Sequence, residues 1–339
     1  MTRRKLGIVG CGPRGRAYAA LIGSLGSAEL CLCVDRDLDA ARACADLYGG
    51  DVSETWDAPV LDGVIVATPH AMRANVVITA MTSGIHVLLD PPLALRMVEA
   101  RRLARAASRA GSRLLMAFTW RFEPIVGLIH RLLPVPVFGH ILSTSPQYTS
   151  ENGQIDSDVH GDRIWAATHH ALDLLAYLFG EAPGQILADS NTPRSDSGFD
   201  VGDSFAAELF FNDGRHAALT VAAAHGTGDL GDVVVDLSDG KTRASIWANW
   251  SYAEVRAIDG RFLKVESVQG AEIECHNETA LIKAHDPDYA LRASIQALVD
   301  TPDMDEASPR STDGLRAAIL ARAVCSAIAS GERQTLRGV

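Results

Sequence analysis

At 339 residues the chain is too long for one ordinary hydrophobic core and suits two domains of usual size. Its composition, 47% apolar and 22% charged, is that of a globular protein, and a formal net charge of -11 with scattered arginines argues against nucleic acid as a partner. No apolar run approaches the roughly 20 residues that span a bilayer, and Thr2-Arg3-Arg4-Lys5 leads into a glycine-rich turn rather than a signal-peptide core, so a cytoplasmic protein with no membrane partner is expected.

The first expected element is a short strand, Leu6 to Val9, which opens directly onto Gly10-Cys11-Gly12-Pro13-Arg14-Gly15 and a helix carrying Ala17, Leu21 and Leu25. This is Gly-x-Gly-x-x-Gly in the strand-turn-helix context it requires. The first glycine permits the tight turn, the second lets a pyrophosphate approach the backbone, and the third lets helix and strand pack closely. Amides at the helix start would face the phosphates. A second strand, Glu29 to Val34, ends at Asp35, 20 residues after Gly15, where a carboxylate meets adenosine ribose hydroxyls. Asp35 favours NAD because it repels a 2′-phosphate. Arg36 could stack on adenine or pair with that phosphate, so NADP stays open. Asp35 could instead cap the next helix, a task Asp37 is also placed to perform.

The alternation continues with a helix from Asp37 to Tyr48, a strand Val64 to Ala67, the turn Thr68-Pro69-His70, and a helix with Ala74, Val77, Ile78 and Met81 on one face. His70 either contacts a cofactor or bonds only its own loop. Ile85 to Leu89 then forms a buried strand that Pro91 and Pro92 must end, because neither can donate a ladder hydrogen bond. Asp90 therefore sits at a strand's carboxyl end, the edge that lines the ligand crevice of open α/β sheets, beside a rigid X-Pro turn that could be cis. A helix from Leu95 to Gly111 and a strand Arg113 to Phe118 complete a parallel sheet with right-handed crossovers. The reading is an α/β protein whose residues 1–119 form a Rossmann domain for NAD or NADP. Its expected cofactor-binding residues are Gly10, Gly12, Pro13, Arg14, Gly15, Asp35, Arg36, Thr68, Pro69, His70, Asp90 and Pro91.

From 120 to 339 the pattern changes to an α+β substrate and oligomerisation domain. Phe122 to Leu133 is an amphipathic helix, after which strand signals dominate, with Asp213-Gly214, Asp239-Gly240 and Asp259-Gly260 as hairpin turns. Ser204 to Phe211, His216 to Ala224, Val233 to Ser238, Arg243 to Trp247 and Phe262 to Val268 suggest one large, mainly antiparallel sheet. Its exposed face would need covering, so a homo-oligomer, dimer or tetramer, is expected. Two helices close the chain, Asp288 to Val299 and Ser311 to Ser330, with Gly331 as C-cap, and they are expected to pack back near the first domain.

With these residues in view, the chain resembles the glucose-fructose oxidoreductase and inositol 2-dehydrogenase family over nearly its full length. The resemblance rests on Gly10 to Gly15, Asp35, Ala67-Thr68-Pro69, Gly84-Ile85-His86-Val87 through Pro92-Leu93-Ala94, Arg121-Phe122, His170-x-x-Asp173 with Leu174 to Gly180, and Thr312-Asp313-Gly314-Leu315. It implies a Rossmann domain plus an α+β substrate domain, with the active site between them. There are departures. Where the family reads Glu-Lys-Pro, this chain reads Asp90-Pro91-Pro92, so the lysine that would hydrogen-bond the reacting oxygen is absent. The family's Asp-x-Gly-x-His reads Ala166-Ala167-Thr168-His169-His170, so the usual carboxylate is alanine and only His170 keeps its place.

Hydride transfer to a carbonyl needs a proton donor at the same oxygen, and the reverse needs a base. His170 could serve as either, and Asp173 and Tyr177 share its helix face at i+3 and i+7. Asp173 either orients the imidazole or is an ordinary polar helix residue, and a His-His pair is often structural. Arg163, Tyr148, Trp120 and Arg121 are possible substitutes for the lysine. Without the lysine, the substrate either needs less electrostatic help, as an imine or activated ketone would, or the chemistry departs from alcohol dehydrogenation. Thiazolinyl imine reductases, which look like distant members of the family, also lack it. The expected function is an NAD(P)-dependent oxidoreductase of a small cyclic or sugar-like molecule, in specialised metabolism. The alternatives are a nucleotide-binding sensor or scaffold without turnover, and a non-redox lyase or hydrolase that uses NAD transiently. The six cysteines show neither disulfide nor metal spacing: Cys31 and Cys33 alternate along a strand, Cys11 lies in a turn where oxidation is conceivable, and Cys44, Cys275 and Cys325 stand alone. Structural thiols and no metal are expected.

Overall fold

The computed structural model describes residues 3–146, 157–190, 204–224, 233–247, 250–257, 271–276, 279–284, 286–300 and 308–338. In chain order the first elements are β1 (Arg4–Val9), α1 (Pro13–Ile22), β2 (Ala28–Val34), α2 (Leu38–Tyr48), β3 (Asp51–Ser53), β4 (Gly63–Val66), α3 (His70–Thr82), β5 (His86–Leu89), α4 (Met97–Arg109), β6 (Leu114–Met116) and a 3-10 turn, Thr119–Phe122. There follow α5 (Pro124–Leu132), β7 (Phe138–Pro146), α6 (Ser157–Phe179), β8 (Gln185–Ser190), β9 (Ser204–Phe210), β10 (His216–Ala224), β11 (Val233–Ser238), β12 (Thr242–Trp247) and β13 (Tyr252–Ala257). The chain ends with β14 (Ala271–His276), β15 (Thr279–Ala284), α7 (Tyr289–Val299), α8 (Ser311–Ser330) and β16 (Gln334–Thr335). Among the described residues no helix is long and apolar enough to cross a membrane.

The chain divides into two compact units. The first is Met1–Phe122 with Asp288–Ala318, and the second is Glu123–Pro287 with Ile319–Val339. The sheet of the first unit has the order β3-β2-β1-β4-β5-β6 and every pair in it is parallel, the arrangement of a Rossmann domain. Its strands read as near-continuous apolar runs because both faces are covered. On one face Val64, Val66, Val87 and Leu89 pack with Val77 and Met81 of α3, Leu103 of α4 and Ala317 of α8. On the other, Ile8, Ile65 and Leu88 pack with Tyr18 and Ile22 of α1, Cys44 of α2 and Ile295 and Leu298 of α7. The short β3, which no periodicity announces, extends the sheet beyond β2.

The second unit carries a sheet of order β14-β15-β13-β12-β11-β7-β10-β9-β8-β16. All its pairs are antiparallel except β7 with β10, which run parallel. The hairpins expected at Asp213-Gly214 and Asp239-Gly240 are present, joining β9 to β10 and β11 to β12, and each glycine takes a left-handed φ, 91° and 85°. Asp259-Gly260 and the expected strand Phe262 to Val268 lie outside the described residues. Helix α6 covers β7 and β10. At Gly139 of β7 an added Cβ would come within 2.9 Å of Phe179, the last residue of α6. Gly331 ends α8 with φ 67° and returns its amide to Ala327 O.

Candidate active site

The turn after β1 has the division of labour that a dinucleotide cradle needs. Gly10 has φ 98°, and a Cβ there would fall 2.6 Å from Ala67 O. At Gly15 it would fall 1.8 Å from Gly10 O, so the third glycine is what lets α1 lie against the turn. At Gly12 a Cβ would meet nothing within 4 Å, which leaves one open face on the turn for a ligand to approach. Gly12 is the N-cap of α1 without a side-chain cap, and Pro13 occupies the first turn, so the helix presents backbone amides that its own ladder does not use. These residues fit a bound nicotinamide dinucleotide: the open glycine and the helix start would hold its pyrophosphate.

Asp35, at the end of β2, is held by two backbone amides. Its Oδ2 accepts from Cys11 N at 2.7 Å and its Oδ1 from Asp37 N at 3.0 Å. The carboxylate is thereby fixed to the glycine turn, and each oxygen keeps a further lone pair for a ribose hydroxyl. Asp37, not Asp35, caps α2, accepting from the amides of Asp39 and Ala40. Arg36 is exposed.

Asp90 follows β5 and is bound from the glycine side of the sheet edge. Its Oδ1 accepts from Arg14 Nε at 2.9 Å and from the hydroxyl of the fully buried Tyr18 at 2.7 Å, and the Arg14 guanidinium lies over the Tyr18 ring. Burial alone would raise the Asp90 carboxyl, but the Arg14 charge and the hydrogen bonds from Tyr18 and Arg14 outweigh it and hold the group below the usual carboxylate range. Burial, with Asp90 adding to it, pushes the Tyr18 hydroxyl well above its ordinary value, so it stays a donor. The Pro91–Pro92 peptide is cis and both prolines are buried. Beneath them lies a residue that periodicity could only mark as polar, Arg73 of α3, 3% exposed. Its guanidinium donates to the carbonyls of Asp90 at 2.8 Å, Thr68 at 2.7 Å, and Pro92. One buried cation thus ties the ends of β4 and β5 together. Pro69 precedes α3 and His70 begins it.

Two of the quoted sequence motifs meet in this unit. Arg121 of the 3-10 turn pairs with Asp313 of α8 at 3.0 Å, with side chains only 7% and 16% exposed. At Gly314 a Cβ would approach Met116 Sδ to 2.9 Å, so the glycine lets α8 close on β6.

In the second unit, His170, Asp173 and Tyr177 lie on α6 as the spacing predicts. Asp173 is 1% exposed, His169 is 2% exposed, and His170 is half-buried. Tyr177 meets the ring of His130 on α5, with centroids 4.4 Å apart. Arg163 falls on α6, and Tyr148 lies outside the described residues. Glu123, which drew no notice in the sequence, is pushed up to about 8 by burial and by the neighbouring charge of Asp286.

Three of the cysteines meet in a way that their spacing does not announce. Cys11, Cys33 and Cys44 come from a turn, a strand and a helix, yet their sulfurs gather within 4.8 Å of one another. Sequence spacing could not show this because the three residues meet only when the turn after β1 and helix α2 come together on β2. The described cysteines are free thiols.

Residues 4–118 match the family described as an oxidoreductase family with an NAD-binding Rossmann fold. The chain is 31% identical over 190 residues to glucose-6-phosphate 3-dehydrogenase of Bacillus subtilis, covering 52% of this chain and 54% of that one. It is 32% identical over 178 residues to inositol 2-dehydrogenase 4 of Saccharopolyspora erythraea, covering 47% and 53%. The matched region therefore spans about half the length of these curated relatives. Among solved structures, UDP-N-acetylglucosamine 3-dehydrogenase from Acidithiobacillus ferrooxidans superposes with TM-score 0.78 over 97% of this chain and 99% of its own, at 20% identity, a likeness of fold.

Proposed function

We propose that the chain, whose residues 4–118 match an oxidoreductase family with an NAD-binding Rossmann fold, is an NAD(P)-dependent oxidoreductase. Its substrate is a small cyclic or sugar-like molecule, a ketone/alcohol pair or an imine. The observation that carries this reading is the glycine turn, packed at Gly10 and Gly15 and open at Gly12, beside a carboxylate fixed at Asp35.

When bound, a nicotinamide dinucleotide supplies the hydride acceptor or donor. The chain's own residues bind, orient and move the proton. Amides at the start of α1 and the open Gly12 take the pyrophosphate, and Asp35 takes ribose hydroxyls and disfavours a 2′-phosphate. Asp90, held by Arg14 and Tyr18, fixes the crevice edge beside the prolines. In the second unit His170 gives or takes the proton at the substrate oxygen or nitrogen, and Asp173, one turn along α6, orients it. Arg163 and Tyr148 are the proposed polar contacts to substrate. Pro91 offers no donor where relatives by resemblance place a lysine, so a substrate whose reacting atom carries less negative charge in the transition state, such as an imine, suits this site.

Titration with NADH and NADPH, then loss of nicotinamide absorbance with ketones and imines, or its gain when NAD+ or NADP+ meets sugars and polyols, tests the reading. Turnover that vanishes in His170→Ala supports it. Binding without turnover across the panel favours a dinucleotide-binding sensor or scaffold, a second reading that the buried apolar Pro91 motivates. Uptake of neither nucleotide removes both.

A further inference from the structure

Cys11, Cys33 and Cys44 converge from the glycine turn, β2 and α2, all three are 0% exposed, and their sulfurs lie within 4.8 Å of one another. Around one ion with metal-sulfur bonds of about 2.3 Å, three sulfurs stand about 4 Å apart when the ion lies in their plane, so shifts well under about 1 Å would bring all three to bonding distance. We propose that Cys11, Cys33 and Cys44 form a three-sulfur site for one thiophilic d10 cation, of the class that includes Zn2+, Cd2+ and Cu+. The donor set selects that class, because an all-sulfur shell suits soft ions and offers nothing to Mg2+ or Ca2+. A disulfide would need only two of these cysteines, whereas the structure brings a third to the same point. Two charged groups stand beside the cluster. Arg16 donates to Cys11 O at 3.2 Å, where its charge offsets part of the negative charge that three thiolates bring, and Asp35 accepts from Cys11 N. The shell joins three parts of the dinucleotide domain, so an ion held there would fix the glycine turn against β2 and α2 and stabilise the folded chain by mass action.

The test is a titration of the reduced, metal-free protein with Cd2+ alone. One equivalent per chain is expected, with a sulfur-to-cadmium charge-transfer band and a 113Cd resonance in the range of all-sulfur ligation. Competition with Zn2+ and with Cu+ then ranks the ions. Because Cys33 lies in the sheet, Cys44→Ala on the more peripheral helix is the primary variant. It should lose the band and weaken binding by roughly a hundredfold or more, while Cys325→Ser keeps wild-type uptake. The proposal is overturned if the folded wild-type chain takes up none of the three ions with sulfur ligation, or if uptake persists unchanged in Cys44→Ala. The cadmium spectrum of the wild-type protein decides the matter even where a variant does not fold.

Discussion

At the scale of single residues, the glycine turn separates two costs that a binding motif usually confounds. An alanine at position 15 would drive its Cβ into Gly10 O, a backbone atom that cannot swing away. Gly15→Ala should therefore cost about 3 kcal/mol or more of stability, read by chemical denaturation. Gly12→Ala meets no protein atom, and its backbone at φ -65° suits any residue, so its stability should stay within about 1 kcal/mol of wild type. Its NADH affinity should nevertheless fall by about tenfold or more, because the methyl group occupies the ligand's approach. Equal losses of stability in the two variants would contradict this division. Asp90 gives a second prediction. Its carboxyl is held below the ordinary range, so the stability it adds is fully present above its unfolded value of about 3.9 and disappears as pH falls through the folded value. Asp90→Asn should cost about 1–3 kcal/mol at pH 7, through the weakened bonds to Arg14 and Tyr18. That difference should shrink toward zero in acid, and unfolding curves run from pH 7 downward will show whether it does.

At the scale of elements, Arg73 governs how the sheet edge is built. Replacing it with leucine would leave the carbonyls of Thr68, Asp90 and Pro92 without the buried guanidinium that now bridges them. A loss of about 3–5 kcal/mol is expected, with Arg73→Lys recovering part of it. An unchanged denaturation midpoint for Arg73→Leu would show that the turn holds itself. None of this was legible in the chain, because the partners of Arg73 sit up to 19 residues away and are backbone atoms that carry no sequence signature. What was legible were features written locally: strand-turn-helix around Gly10 to Gly15, the hairpin glycines 214 and 240, and the run of Ser311–Ser330 as one helix. The fold's non-local choices were not. β3 is three residues long, too short for any period, and α7, 170 residues downstream of the 3-10 turn that begins at Thr119, lies with Ile295 and Leu298 in the first sheet's core. The site followed the same rule. Asp35 and Asp90 could be picked out because each ends a strand, whereas Tyr18 as a donor to Asp90 and the gathering of three cysteines depend on which helix face meets which strand.

At the scale of the molecule, the second unit's sheet sets the expected assembly. Residues facing α6 are buried, as Gly139, Ile141 and Ser143 are along β7, while those alternating with them face the other way, Phe138 at 43% exposure among them. Leu187 on β8 is 36% exposed and Phe210 on β9 is only half-buried, under the guanidinium of Arg333. Among the described residues, the nine longer strands, about 4.8 Å apart and about 20 Å long, present a face of on the order of 900 Å². That matches the roughly 800 Å² per partner that a stable protein interface buries. We expect a second copy of this chain to cover such a mixed apolar and charged face, through an isologous contact. Light scattering after gel filtration should therefore give a dimer or tetramer. Ala218→Arg, placed on β10 opposite His140 and Glu208 in the register, adds a long charged side chain to the middle of that face and should shift the protein to monomer without unfolding it. A wild-type protein that runs as a monomer at micromolar concentration, or an Ala218→Arg variant that keeps the wild-type mass, would move the interface elsewhere.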